Sequence, residues 1–117
     1  TYSFPDQRVI KKRIKDFVQG ETSPLILFGY SLGKAQKIQK LVEKATERPI
    51  LAHGAVKKMN DAVEKSTEME FRAKPYGENK ELMNENGILV APSRSSQADW
   101  IEKLVDKTGA VKAGFSG

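Results

Sequence analysis

The chain has 117 residues, enough for one domain with a real core and too few for two. Its 38% hydrophobic and 30% charged residues suit a globular protein, and no apolar run approaches the ~20 residues that span a bilayer. A net charge of +5 favours polyanionic partners such as nucleic acid, and the lack of cysteine excludes disulfide and thiolate chemistry.

Pro5-Asp6 opens the first predicted helix, with Asp6 as its N-cap. Val9, Ile10, Ile14, Phe17 and Val18 share one apolar stripe, Arg8, Lys11, Lys12 and Lys15 lie off it, and Gly20 ends the helix. Leu25 to Phe28 is a strand, apolar throughout, as when helices cover both faces of a sheet. A second helix runs from about Gly33 to Thr46. Ala35, Ile38, Leu41, Val42 and Ala45 face the core, and Lys34, Lys37, Lys40 and Lys44 share the solvent side. Ile50-Leu51-Ala52-His53 is a second strand, followed by Gly54 and a helix holding Val56, Met59 and Val63.

Residues 67 to 86 lack periodicity and predict a loop with an irregular strand and a helical turn at Leu82 and Met83. Ile88 to Ala91 is a third strand, followed by the turn Pro92-Ser93-Arg94-Ser95-Ser96. Ser96-x-x-Asp99 resembles a capping box with Asp in place of Glu. The helix it opens turns Trp100, Ile101, Leu104 and Val105 inward, which makes Trp100 a core residue before a base-stacking platform. Gly109 ends that helix, and Ala110 to Ala113 is a fourth strand. This alternation predicts an α/β domain over 1–117: three layers, with a mostly parallel sheet of about four or five strands and helices on both faces.

In such a sheet the turns Gly29 to Gly33, His53-Gly54 and Pro92 to Ser96 all lie on the carboxyl edge, where ligands bind. Small residues there also satisfy the turns themselves. Gly29-x-Ser31-x-Gly33 has the spacing of a nucleophile elbow, but no acid stands where it would orient His53 as a base for Ser31. A P-loop needs one more residue between its glycines and a hydroxyl after the lysine, where Ala35 stands. What survives is a phosphate contact without chemistry: a helix N-terminus, Gly33, the Ser31 hydroxyl and the Lys34 cation. A solvated Lys34 and a satisfied strand-end His53 are the competing readings. One histidine and no cysteine do not make a zinc site.

Thr1-Tyr2-Ser3-Phe4-Pro5, Phe28 to Gln36, His53-Gly54-Ala55-Val56, Val90-Ala91-Pro92-Ser93 and Phe115-Ser116-Gly117, in that order, resemble the β-CASP nucleases of the metallo-β-lactamase superfamily. The nearest likeness is to the exonuclease-like branch tied to messenger RNA 3′-end processing or to DNA ligases; residues 67 to 86 match least. The resemblance implies a Rossmann-like lid domain inserted into a metallo-β-lactamase fold that carries two zinc ions. The family's HxHxDH motif is not in this chain, and its other metal-ligand motifs would flank Thr1 and Gly117. The chain is therefore expected to be the β-CASP insertion of a longer cytoplasmic nuclease, with no cofactor or catalytic residue of its own and inactive alone. Its expected partners are single-stranded RNA or DNA and the metallo-β-lactamase-fold domain of the same polypeptide, with no membrane. The expected nucleic-acid or phosphate contacts are Ser31, Leu32, Gly33, Lys34, His53, Ser93, Arg94 and Ser95. The alternative is a free-standing α/β module for a nucleotide or other phosphorylated ligand.

Overall fold

Short runs of Leu, Ile and Val form the strands, and the stretches of helical periodicity between them form the crossovers. The computed structural model describes residues 7–29, 32–95 and 97–115, the side chains of 7–10, 32–34 and 115 excepted. In chain order the elements are α1 (Gln7–Gly20), β1 (Leu25–Gly29), α2 (Leu32–Ala45), β2 (Ile50–Ala52), α3 (Gly54–Ser66) and β3 (Lys74–Pro75). Two 3-10 turns follow, Tyr76–Glu78 and Lys80–Glu85, then β4 (Ile88–Pro92), a 3-10 turn at Ser93–Ser95, α4 (Asp99–Thr108) and β5 (Val111–Phe115). The five strands pair in parallel in the order β3-β2-β4-β1-β5.

β1, β2 and β4 are buried on both sides, so their residues divide by parity between two cores. Leu25, Leu27, Ile50, Ala52, Ile88 and Val90 pack beneath α1, α2 and α3, against Ile14, Val18, Ile38, Val42 and Val56. Ile26, Phe28, Leu51, Leu89 and Ala91 face the opposite way, against Met83, Ile101 and Leu104. The fold is the expected α/β type, with helices on both faces of an all-parallel sheet. Complete burial of each such Leu or Ile is worth about 1.5–3 kcal/mol over leaving it exposed.

Two polar groupings hold this frame. Between α2 and α3, Gln39 and Asn60 are wholly buried. Asn60 Oδ1 accepts from Gln36 Nε2 at 2.6 Å and from Gln39 Nε2 at 2.9 Å, and Asn60 Nδ2 donates to Gln39 Oε1 at 2.7 Å. At the amino edge of the sheet, the Arg48 guanidinium donates to the carbonyls of Asn86 (2.7 Å), Val18 (3.1 Å), Glu21 (2.9 Å) and Ser23 (2.7 Å). It thereby ties the end of α1 to the entrances of β1 and β4. Arg72 does the same for the end of α2, donating to the carbonyls of Glu43, Thr46 and Arg48.

Several boundaries differ from the sequence expectation. The Asp6 cap lies outside the described residues. β1 extends to Gly29, β5 is displaced to Val111–Phe115, and His53 leaves β2 to become the N-cap of α3. Ser96, the first residue of the proposed capping box, lies outside the described residues. Ala98 occupies the cap position without a side-chain bond, and Asp99 is the first helical residue. A carboxylate there meets the positive end of the helix dipole, which favours it. Lys40 is only half exposed: it donates to the Glu70 carbonyl at 2.6 Å, pairs with Glu43 at 3.3 Å and lies over the Phe71 ring. Gly109 ends α4 as expected, at φ 73° with its N–H on the Val105 carbonyl at 2.8 Å.

Candidate functional site

The strand order creates a switch point. From β1 the chain crosses through α2 toward β2, and from β4 it crosses through α4 toward β5 on the other side. The two crossovers leave neighbouring strands in opposite directions and cover opposite faces. The carboxyl ends of β1 and β4 finish level at Gly29 and Pro92, so the turns that follow them lie side by side on the edge of a parallel sheet where ligands bind.

Local sequence fits this place. A Cβ on Gly29 would lie 2.9 Å from the Ala35 amide nitrogen and 3.0 Å from its Cα, so only glycine lets β1 run so close to α2. Leu32, Gly33 and Lys34 are the first three residues of α2, whose N–H groups have no acceptor within the helix. Ser31 lies outside the described residues, as do the side chains of Leu32 and Lys34. Ser93, Arg94 and Ser95 form the turn directly after β4, in contact with β1. Ser95 is buried, Ser93 half-buried and Arg94 exposed.

His53 joins the same edge from the next strand. Its amide continues the ladder by donating to the Val90 carbonyl at 3.0 Å, and its Nδ1 accepts the Ala55 N–H at 3.2 Å. That bond leaves Nε2 as the protonated nitrogen of the neutral ring. Burial pushes the His53 pKa below the ordinary histidine value, and the charge of Arg94 pushes it further the same way. The structure thus brings together the expected residues Leu32, Gly33, Lys34, His53, Ser93, Arg94 and Ser95 along one edge.

A second group was not expected from the sequence. Pro75 pairs with Ala52, so Tyr76 leaves the sheet beside His53. Trp100, in the first turn of α4, stacks on His53 with ring centroids 5.4 Å apart and planes 20° apart, and stands 5.7 Å from the Tyr76 ring. Trp100 is half-buried, packed against the second core yet also bordering an open groove of about 560 Å³ between α4 and the Tyr76–Glu85 turns. It is both core residue and wall. Lys80, Lys103 and Lys107 line the groove, and Lys80 lies 6.0 Å from the centre of the Tyr76 ring. Burial raises the Tyr76 pKa, so the phenol keeps its proton.

Among the described residues no group of three or more His, Cys, Asp or Glu is placed to hold a metal ion, so these side chains do not fit a zinc centre. Among the same residues no helix is long and apolar enough to cross a membrane. Compared with family models, curated proteins and solved structures, the chain matches none.

Proposed function

We propose that this chain grips single-stranded RNA or DNA by its backbone phosphates, as the β-CASP lid of a zinc-dependent cytoplasmic nuclease. The observation that supports the reading is the placing of the α2 N-terminus, which follows β1, and of the Ser93–Ser95 turn, which follows β4 and touches β1, on one edge of the sheet beside His53. Backbone N–H groups at a helix start, a hydroxyl turn and an exposed guanidinium suit a phosphate, and the net charge of +5 has the sign a polyanion requires. The resemblance of Phe28 to Gln36 and of Val90 to Ser93 to β-CASP sequences supplies the nuclease part. In this reading the metal centre belongs to a metallo-β-lactamase-fold domain of the same polypeptide. This chain holds and orients the strand, and alone it cleaves nothing.

The test is a titration of fluorescein-labelled single-stranded RNA and DNA followed by anisotropy. Binding is expected at low salt, falling steeply as salt rises because bound phosphates release counterions. Lys34→Ala is expected to weaken it. No binding of either strand at low salt would overturn the grip. A coding sequence without an HxHxDH motif upstream would overturn the nuclease parent and leave the second reading, a module for a free nucleotide, which the aromatic groove favours.

A further inference from the structure

The groove between α4 and the Tyr76–Glu85 turns lies beside the carboxyl-edge turns and has a chemistry of its own. One wall is aromatic, made of His53, Tyr76 and Trp100. Among the described residues its other side chains include three lysines, Lys80, Lys103 and Lys107, and none that is acidic. Both lysines of α4 are exposed, four residues apart on one face of the helix. A purely apolar ligand would leave these cations without a role, and inorganic phosphate would leave the rings without one. A flat heteroaromatic ring carrying a phosphate uses both. The volume of about 560 Å³ lies within the ~300–1,000 Å³ usual for sites of small organic ligands.

We propose that this groove is a nucleotide site, with the base against the His53–Tyr76–Trp100 wall and the phosphate held by Lys103 and Lys107. The Asn84 amide, which also borders the groove, offers a donor and an acceptor to the edge of the base. His53 belongs to the wall on one side and to the carboxyl edge on the other. A strand whose phosphates lie along the turns after β1 and β4 therefore has a place for one of its bases next door. In that form the proposal rests on the strand-binding reading. The same chemistry would also accept a free mononucleotide, and the experiment separates the two sources.

Trp100 is the chain's single tryptophan, so its fluorescence reports the groove directly. The probes are AMP, adenosine, inorganic phosphate, oligo(dA) and an abasic oligonucleotide of equal length. AMP and oligo(dA) are expected to quench Trp100, whereas phosphate and the abasic strand leave it unchanged. Tyr76→Ala is expected to weaken AMP about tenfold, as loss of a stacking ring does. Because Tyr76 is half-buried, the exposed double variant Lys103→Ala/Lys107→Ala provides a second measure. It should weaken AMP and leave adenosine untouched. Quenching by AMP without binding of any oligonucleotide would keep the groove and overturn the strand reading. Oligonucleotide binding by anisotropy, with Trp100 fluorescence unaltered by AMP and by oligo(dA), would overturn the groove and keep the strand reading. Absence of both would overturn both.

Discussion

The two edges of the sheet use basic side chains in opposite ways. At the amino edge, Arg48 and Arg72 are spent on main-chain carbonyls, closing the ends of α1 and α2 and the entrances of the strands. At the carboxyl edge and along the adjoining groove, Arg94, Lys103 and Lys107 are exposed. The difference follows from polarity. Helices that return from the carboxyl edge leave unpaired carbonyls at the amino edge, and a planar guanidinium satisfies several at once. The carboxyl edge presents helix N–H groups instead, which attract anions and give a cation nothing to bind. Net charge counts both sets alike, so a pI of 9.5 overstates the basic surface open to a partner.

Removing Arg48 should break this contrast most. Arg48→Ala leaves four carbonyls without their donor and is expected to cost about 3 kcal/mol in urea unfolding, with nucleic-acid affinity of the folded fraction unchanged. Arg48→Lys should recover little, since an ammonium cannot span that set. A loss of affinity without a loss of stability would mean the edges are not functionally distinct. Gly29→Ala comes next, at about 2 kcal/mol, because its methyl meets the α2 backbone. It should also lower affinity by moving the helix start, and a neutral effect in both assays would remove the close approach from the account. Arg94→Ala is the converse of Arg48→Ala. Its stability should stay within about 0.5 kcal/mol while the slope of log affinity against log salt falls by about 1. An unchanged slope would take Arg94 out of the interface.

The smallest effect is expected with pH. His53 titrates below its ordinary value in the folded chain, because of burial and then Arg94. The unfolded chain therefore takes up its proton first on acidification. The stability that neutral His53 contributes is whole above about pH 6.5 and is lost as pH falls through the lowered folded value. Melting temperature should decline over that window, and less so in His53→Asn, which keeps a cap acceptor for Ala55. Equal acid slopes in the two proteins would mean that other groups carry the titration.

The layers and most strands were legible because parallel strands buried on both faces read as unbroken apolar runs, as in Leu25–Phe28 and Ile88–Ala91. β3 was legible only as an irregular strand, since Lys74–Pro75 is two residues long and one of them is the proline of an edge strand. The buried amides of Gln36, Gln39 and Asn60 were not legible, because a periodicity rule assigns polar side chains to solvent and cannot foresee that Asn60 pairs with both glutamines across α2 and α3. The carboxyl-edge turns could be read because each follows its own strand. The aromatic wall could not, because His53, Tyr76 and Trp100 come from three separate crossovers, and Tyr76 sits in a segment with no pattern.

The position of β4 has a consequence for how the chain reaches this state. β1 and β2 precede it in sequence, yet β4 lies between them and supplies the partner each requires on its inner edge. The two earlier strands have no native pairing with each other to form first. Joining β1 and β2 into one sheet needs the later segment Ile88–Pro92 to enter between them, a long-range closure of the kind that slows folding. Once Ile88–Pro92 is in place, the β2–β3 and β1–β5 pairs belong to a single sheet.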